Sequence, residues 1–397
     1  MKNKANTSRI IKQANELLVL HALHENDELT VEDIMSITKL SRPTTLSLLK
    51  ELHAQGLMEK AGLGESMGGR QPFLYKLDLT NYFAVGIDFE FPPIRLIISD
   101  LKEQIVYHKN WVSRRDISIP ELEKDIADAV YEGLHKLSIG PDNILGIAFG
   151  IPGRVDVSKN KATAINRLQQ WKSEDLVGFL AEEFKVPVIA RNDIHLIAIT
   201  EHRLQPSKPK TFIFIVRRKG IGGAVFIDGE SYEGERGNSA FIGHVVVDPN
   251  GPDCHCGKKG CLELYAGIDG IEDVYAGRMA LEEHVPYSQI LESAKKGDAQ
   301  AQYVISSATE RLATVVASSV QMLDIGTVIF ADEDHDESDY FFRLFASKLQ
   351  DLVSQAEDTR LQILKGVSTQ EIYALGGCIS VLNTLFDAPE LIVNLKT

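Results

Sequence analysis

The residues best suited to chemistry are three cysteines that lie within eight positions of one another, Cys254, Cys256 and Cys261. In a chain without secretory features, such clustering favours metal binding over disulfide bonds. Structural zinc takes four Cys or His ligands in a closed tetrahedron. His244 is the natural fourth ligand and His255 a weaker competitor, while the alternative is a loop of reduced thiols. A closed ligand set leaves no place for an activated water, so the predicted Zn²⁺ would be structural.

A second group of residues has the chemistry to contact nucleic acid. Short hydroxyl side chains and cations near a helix start suit contacts to phosphates and base edges in the major groove of double-stranded DNA. The candidates are Arg42, Thr44, Thr45, Ser47 and Lys50. The alternative is a small helical packing module with a polar face.

Three predicted helices position these side chains. The first covers residues 8–24, and the second begins at a capping box, Thr30–Asp33. The third begins with Ser41 as the cap and Pro43 in the first turn, where a missing N–H costs nothing. Its inward-facing stripe is predicted to be Leu46, Leu49 and Leu52. Two helices joined by so short a turn are typical of a helix-turn-helix.

Two short strands, residues 57–60 and 73–77, are predicted after the third helix. The glycine-rich loop between them carries Arg70, and such a wing could enter a narrow minor groove. Residues 1–76 carry a net charge of +1, whereas the rest of the chain carries −15. This asymmetry permits a DNA-binding head on an acidic body. Residues 1–78 are therefore predicted to form a winged helix-turn-helix domain.

Residues 79–397 are predicted to form an α/β body of two lobes, because strand-like and helical stretches alternate over a length too large for one core. The predicted strands cover residues 83–88, 94–99, 144–151, 186–190 and 212–216, and the predicted helices cover 120–137, 174–184, 194–203, 299–323 and 338–356. The whole chain is 44% hydrophobic and 25% charged, as in globular proteins. It contains no run of about 18 uncharged apolar residues and no secretory signal, so we expect no membrane association and a cytoplasmic location.

The cysteine segment resembles the signature of the ROK family (repressors, open reading frames and kinases), in which a Gly-His pair precedes a Cys-x-Cys-Gly-x-x-Gly-Cys-Leu-Glu loop. Here the pair is Gly243-His244, and the loop runs from Cys254 to Glu263. Further matches are Gly150–Asp156, Asn192-Asp193, Gly220–Gly223 and Gly376-Gly377. The resemblance implies an actin-like, sugar-kinase two-lobe fold that assembles as homodimers or homotetramers. A winged helix ahead of such a body resembles the sugar-responsive repressors of this family.

The resemblance also implies a sugar-binding set. In the family, sugar hydroxyls are held by residues that correspond to Asn192, Asp193, His244 and Glu263. Asp193 also matches the family's catalytic aspartate, although it could simply cap the helix that follows. A further Glu is expected three residues before the histidine, where this chain has Phe241. A changed sugar class, a different ligand and no ligand are all compatible with this departure, and Phe241 could instead be a core aromatic.

The phosphate side departs further from the family's kinases, which carry an Asp-x-Gly-x-Thr turn after the first strand of the body. The corresponding residues are Asp88, Phe89, Glu90, Phe91 and Pro92. Glu90 would add negative charge beside the phosphates, and Pro92 lacks an N–H donor. At the second phosphate turn, Arg218-Lys219 replaces the usual Gly-Thr and could attract an anion without recreating a glycine cradle. We therefore expect no kinase activity.

Together these features predict a DNA-binding transcriptional regulator, a repressor of carbohydrate-utilisation genes. Its partners would be operator DNA and a sugar or sugar-phosphate effector. One alternative is an ATP-dependent sugar kinase with an attached DNA-binding domain, which Asp193 favours and which Glu90 and Pro92 oppose. Another is a regulator controlled by a protein partner with a vestigial sugar cleft, which Phe241 favours.

Overall fold

The computed structural model describes residues 2–65, 71–90, 93–114, 116–165, 176–237, 239–333, 339–353 and 361–387. The chain divides into two compact units. The first contains Met1–Gly153, Asn160–Leu196 and Ala374–Thr397, and the second contains Arg154–Lys159 and Ile197–Tyr373. Within the described residues, no helix has both the length and the apolar character that a membrane crossing requires.

The chain begins with a winged helix, as predicted. Its helices are α1 (Lys2–Glu25), α2 (Val31–Thr38) and α3 (Arg42–Ala54), and its antiparallel hairpin is β1 (Met58–Leu63) with β2 (Phe73–Leu77). The predicted capping box is present, since Thr30 Oγ1 accepts a hydrogen bond from the Asp33 N–H and the Asp33 carboxylate accepts one from the Thr30 N–H. Ser41 caps α3 through the Thr44 N–H.

The inward face of α3 differs from the predicted stripe. Leu48, Leu49 and Leu52 are buried, whereas Leu46 is 43% exposed. Over only 13 residues, a helical period fits either set of leucines, and contacts from the other helices decide between them.

The first unit also contains a five-stranded sheet in the order β5-β4-β3-β6-β9. The strands are β3 (Phe83–Phe89), β4 (Pro93–Ser99), β5 (Ile105–Val112), β6 (Ile144–Ile151) and β9 (Val188–Asn192), with short strands β7 (Gly153–Asp156) and β8 (Lys161–Ile165) between the last two. Strands β3, β4 and β5 pair antiparallel, while β6 is parallel to both β3 and β9.

Helices α4 (Ile119–Leu137), α5 (Leu176–Phe184) and α12 (Leu375–Asp387) belong to the same unit, and α6 (Asp193–Leu204) begins there. Gly86 explains how closely α12 approaches β3. A Cβ at Gly86 would lie 2.0 Å from the Ala374 carbonyl oxygen, and one at Gly377 would lie 2.8 Å from the Gly86 Cα. Gly377 therefore serves helix–sheet packing.

The second unit is built on another five-stranded sheet, in the order β12-β11-β10-β13-β14. Its strands are β10 (Phe212–Arg217), β11 (Ile221–Ile227), β12 (Glu230–Ser231), β13 (Thr327–Asp332) and β14 (Gln362–Lys365). Its helices are α7 (Glu263–Ala266), α8 (Ile268–Met279), α9 (Tyr287–Lys295), α10 (Ala299–Leu323) and α11 (Tyr340–Val353). Strand β13 runs parallel to β10, so its last residue, Asp332, pairs with Arg217 at the end of β10.

The mixed α/β class is confirmed, and each of the five predicted strands overlaps an observed one. The elements that were not predicted are strands β5, β7, β8, β11, β12, β13 and β14 and helices α7, α8, α9 and α12. Strand β5 alternates between exposed and partly buried side chains, so it lacks the continuous apolar run that marks the buried strands.

Candidate functional site

The four predicted metal ligands lie together. The ligand atoms of His244, Cys254, Cys256 and Cys261 are all within 4.8 Å of one another. The Sγ atoms of Cys256 and Cys261 are 3.6 Å apart, and Cys254 Sγ is 3.6 Å from His244 Nδ1. A tetrahedron around Zn²⁺ has ligand–ligand edges of about 3.3–3.8 Å, given metal–ligand distances of about 2.0–2.3 Å. The donor set and its spacing therefore fit a four-coordinate zinc ion.

Two glycines let the loop turn back on itself. Gly257 and Gly260 adopt positive φ angles of 86° and 59°, a region that side chains with a Cβ rarely occupy. A Cβ at Gly260 would also lie 1.7 Å from the Asp248 carbonyl oxygen. The turn is closed by hydrogen bonds from the Cys254 N–H to the Lys258 oxygen and from the Gly257 N–H to the Cys254 oxygen.

Glu263 lies against this ligand set without being part of it. Its Oε1 accepts a hydrogen bond of 3.0 Å from Cys254 Sγ and lies 3.2 Å from His244 Nδ1 and 3.3 Å from His255 Nδ1. Burial of Glu263 disfavours its charge, but these partners outweigh burial and lower its pKa. His255 is 49% exposed, which makes it the weaker candidate for a closed site.

The thiols respond to the same surroundings. Burial raises the pKa of Cys254 and of Cys261. Burial also opposes ionisation of Cys256, but hydrogen bonds from Lys258 and the neighbouring thiols lower its pKa. Zinc binds thiolates and releases their protons, so metal would reverse the burial effect.

The remaining predicted sugar ligands occupy two places. Asn192 ends β9 and Asp193 begins α6, and both are buried. Asn192 Nδ2 donates to the Gly153 carbonyl oxygen at 2.9 Å, and its Oδ1 accepts from the Ile194 N–H at 3.0 Å. Asn192, rather than Asp193, therefore caps α6. Its two hydrogen bonds hold the backbone at the start of α6, where Asp193 lies.

Phe241 directly precedes the short turn that carries His244. It is partly buried rather than a core residue, and its ring stacks on the His244 imidazole with centroids 6.1 Å apart. The replacement of the expected carboxylate by Phe241 thus places an aromatic face beside a predicted ligand residue.

The predicted phosphate turn contains an ion triad that the sequence analysis missed. Arg95 Nη1 lies 2.7 Å from Asp88 Oδ2 and 2.9 Å from Glu90 Oε2, and all three side chains are largely buried. Asp88 and Arg95 are cross-strand partners in the β3–β4 hairpin. A hairpin drawn across residues 83–99 would have revealed this pairing. Phe91 and Pro92 lie outside the described residues.

The second predicted phosphate turn is also occupied by ion pairs within the chain. Buried Arg217 bonds Asp332 Oδ2 through Nη2 at 2.6 Å and through Nε at 3.2 Å, and its guanidinium lies 3.9 Å from the Phe341 ring centroid. Arg218 Nε lies 3.5 Å from Glu333 Oε1. Carboxylates at the end of β13 therefore face both arginines, whereas Lys219, the other cation of this turn, is exposed.

The predicted DNA-contacting residues divide into exposed and buried ones. Arg42, Ser47 and Lys50 are exposed on α3, and Thr44 is partly exposed. Thr45 is completely buried, and its Oγ1 donates to the Ser41 carbonyl oxygen at 3.1 Å. Its prediction as a DNA contact is wrong for this conformation, because the side chain faces the helical core. Arg70 lies outside the described residues.

Arg42 is engaged within the protein. Its Nη1 donates a hydrogen bond to Glu32 Oε1 on α2, and both side chains are more than half exposed. That hydrogen bond lowers the pKa of Glu32. The Glu32 carboxylate therefore accepts a hydrogen bond from the Arg42 guanidinium, which the sequence predicts as a DNA contact.

Comparisons with known proteins agree with this arrangement. The model of the MarR family matches residues 4–63, and that of the ROK family matches residues 84–383. The chain is 25% identical to the xylose repressor of Caldicellulosiruptor bescii over 96% of its own length and 98% of the relative's. It is also 25% identical to the DNA-binding transcriptional dual regulator NagC of Escherichia coli, over 82% and 81% of the two chains.

Solved structures share the fold. A ROK family transcriptional regulator described as a homologue of the E. coli MLC protein superposes with a TM-score of 0.77 at 18% identity, covering 97% of this chain and 98% of the other. The ROK hexokinase of Thermus thermophilus superposes with a TM-score of 0.67 at 20% identity, over 77% of this chain and 100% of the other. Since the family model covers most of the residues after the winged helix, the chain belongs to the ROK family.

Proposed function

We propose that this protein is a sugar-responsive transcriptional regulator, a repressor of carbohydrate-utilisation genes. The observation that carries the proposal is the union of a winged helix and a ROK body in one chain. A relative named a xylose repressor shares that whole span. Its partner would be double-stranded operator DNA, bound by a homodimer or homotetramer.

The exposed face of α3 would enter the major groove. Arg42 and Lys50 supply the positive charge for phosphate contacts, and Ser47 and Thr44 supply hydroxyl donors. Arg70 in the wing would add a minor-groove contact. Because cations dominate such binding, affinity should fall steeply as salt concentration rises.

The effector would be a sugar or a sugar phosphate. Asp193, held in place by Asn192, supplies a carboxylate for hydroxyl groups, and His244 and Glu263 supply further polar groups. Phe241 offers an apolar ring face where the family has another carboxylate. This exchange favours an effector with an apolar face or a missing hydroxyl at that position. The effector can change DNA affinity only by binding two states of the protein unequally.

His244, Cys254, Cys256 and Cys261 would hold a structural Zn²⁺. The ion would cross-link residues 244–261 and so keep His244 and Glu263 in place. Metal binding of this kind contributes to folding stability.

Phosphoryl transfer is not part of this proposal. A nucleotide needs backbone N–H groups and cations that are free to meet its phosphates. Here Arg95 faces Asp88 and Glu90, and Arg217 and Arg218 face carboxylates at the end of β13. These ion pairs within the chain support the expectation that the phosphate turn of the family's kinases is lost here.

Two measurements test the proposal on the full-length protein. Selection from a randomised duplex pool should recover a defined sequence, bound more tightly than the unselected pool. A thermal-shift screen over sugars and sugar phosphates should find a compound that raises the melting temperature, and this compound should change affinity for the selected duplex. Recovery of no sequence would overturn the regulator proposal.

The two alternatives predict different results in the same assays. Phosphotransfer from ATP to a sugar, abolished by Asp193→Asn, would establish the kinase instead. Sequence-specific DNA binding that no sugar or sugar phosphate alters would favour control by a protein partner.

A further inference from the structure

Leu46 lies in the middle of the proposed DNA-contacting face. It is 43% exposed, and Arg42 and Lys50 stand four residues before and after it. Residues spaced by four lie on one face of a helix, so the leucine is flanked by a cation on each side. Isolated exposed leucines are ordinary on protein surfaces, but this one interrupts a cationic face.

The polar neighbours of Leu46 have partners within the chain. Arg42 bonds Glu32, and the Thr44 and Ser41 hydroxyls are 2.8 Å apart. Ser47 Oγ donates to Glu51 Oε1 at 3.4 Å. Donation from the Ser47 hydroxyl to a base would first require its bond to Glu51 to break. An apolar side chain needs no such exchange.

The backbone beneath Leu46 is firmly held. Ser41 caps the helix, Thr45 Oγ1 bonds back to the Ser41 carbonyl oxygen, and Leu48 and Leu49 anchor the opposite face in the core. The Leu46 Cβ therefore has a fixed position relative to the cations, as selective recognition requires.

We propose that Leu46 contacts the C5-methyl group of a thymine in the major groove, and that each half of the operator carries a thymine at that position. Among the groups that base pairs present in this groove, the thymine methyl is the one that an apolar side chain can recognise. Arg42 and Lys50 would fix the register through phosphates on either side. The inference rests on the proposed function and names one base that it reads.

The test replaces thymine by deoxyuridine, which removes only the methyl group. Duplexes selected by the wild-type protein are resynthesised with uracil at one thymine at a time, and their affinities are compared. We expect one thymine, or a symmetric pair, at which uracil weakens wild-type binding about three- to five-fold, the value of one buried methyl group.

Leu46→Ala should bind the thymine and uracil duplexes equally at that position. Leu281→Ala is the matched control, because Leu281 is 42% exposed but lies in the second unit, and it should keep the full uracil effect. Leu46→Gln gives an independent readout, since glutamine pairs with adenine. Repeated selection with this variant should replace the thymine by another base.

The outcomes separate the two proposals. If no thymine is sensitive to uracil, or if Leu46→Ala shows the same sensitivity as wild type, the thymine contact is wrong while sequence-specific binding stands. If the protein selects no sequence, the proposed function fails and the thymine contact fails with it.

Discussion

Lys102 Nζ donates a hydrogen bond of 2.8 Å to the backbone carbonyl oxygen of Asn26, just beyond the end of α1. The same ammonium donates to the carbonyl oxygen of His24. Lys102 lies in the turn between β4 and β5, so it joins the winged helix to the first five-stranded sheet. A cation at this position also complements the negative end of the helix dipole.

Replacement of this lysine should loosen the junction. Lys102→Ala should lower the free energy of unfolding by about 1.5–3 kcal/mol, because hydrogen bonds from a charged donor are lost. Denaturant titration measures the change, and protease cleavage near residue 26 should accelerate. Lys124→Ala removes an exposed ion pair with Asp128 and should change stability by less than about 1 kcal/mol. Equal effects of the two variants would contradict the role of Lys102.

The triad at the first phosphate turn makes a prediction about stability. Arg95→Met should lower the free energy of unfolding by about 3–5 kcal/mol, because it removes the guanidinium that pairs with both buried carboxylates. The triple change Asp88→Asn, Glu90→Gln, Arg95→Met should recover much of that loss, since it removes the two carboxylates together with the guanidinium. Denaturant titration again provides the measurement. Arg114→Ala serves as the control, because its pair with Glu121 is exposed. A triple variant no more stable than Arg95→Met would refute the argument.

The metal site predicts which ligands matter. Elemental analysis should find one zinc per wild-type chain, and Cys256→Ser or His244→Ala should lose most of it. His255→Ala should retain the metal, because His255 is exposed and lies outside the four-ligand set. Cys378→Ala is a second control, since Cys378 Sγ lies instead against the backbone oxygen of Ala84. Zinc loss in His255→Ala with retention in His244→Ala would reverse the ligand assignment.

Glu32 should limit DNA affinity. Its pKa lies below the ordinary value of 4.5 because of the hydrogen bond from Arg42, so the carboxylate is charged at neutral pH and competes with phosphate. Glu32→Gln should raise affinity for a selected duplex about three-fold and steepen the dependence on salt. Glu28→Gln removes the same charge from another exposed position of the winged helix. Fluorescence anisotropy of labelled DNA measures the affinity of each variant. An equal increase in affinity for both variants would indicate a general charge effect rather than competition by Glu32.

The contribution of the Glu32–Arg42 pair to stability should also depend on pH. A carboxyl group with a depressed pKa contributes stability above its unfolded pKa and loses it as pH falls through the folded value. The wild-type advantage in stability over Glu32→Gln should therefore be constant near neutral pH and vanish in acid below 4.5. Thermal melts from neutral to acidic pH would check this, and an advantage that survives in strong acid would exclude the ion pair as its source.

Asp193 should be needed for the effector response and dispensable for DNA binding. Asp193→Asn keeps the shape of the side chain but removes its charge, so the compound found in the thermal-shift screen should lose most of its effect. Affinity for DNA without effector should stay within about two-fold, since the winged helix is unchanged. Asp142→Asn, at an exposed position of the same unit, is the control. An unaltered response in Asp193→Asn would remove it from the ligand site.

Local signals in the sequence predicted much of this protein. The helix caps at Thr30 and Ser41 and the zinc-type loop at 254–261 depend on residues within a few positions of one another. Local spacing does not decide which face of α3 is buried, because Leu46 and Leu48 both fit a helical period. The sequence predicts Leu46 inside and Thr45 outside, the reverse of what the structure shows.

Local sequence signals do not predict ion pairs between residues that are far apart in the sequence. Arg217 and Asp332 are separated by 115 positions, and they meet only because β10 and β13 are parallel neighbours. The register of the two strands pairs these residues directly, but no local pattern around either residue predicts the other. Arg95 and Asp88 were within reach, since an antiparallel hairpin places them opposite each other.

The carboxylates that face Arg217 and Arg218 have a consequence for metabolism. If the protein is the non-catalytic regulator proposed above, a bound sugar would depart in the same chemical form in which it arrived. Occupancy then follows the cellular concentration of that sugar by mass action. Such an effector would report its own abundance and remain available as a nutrient.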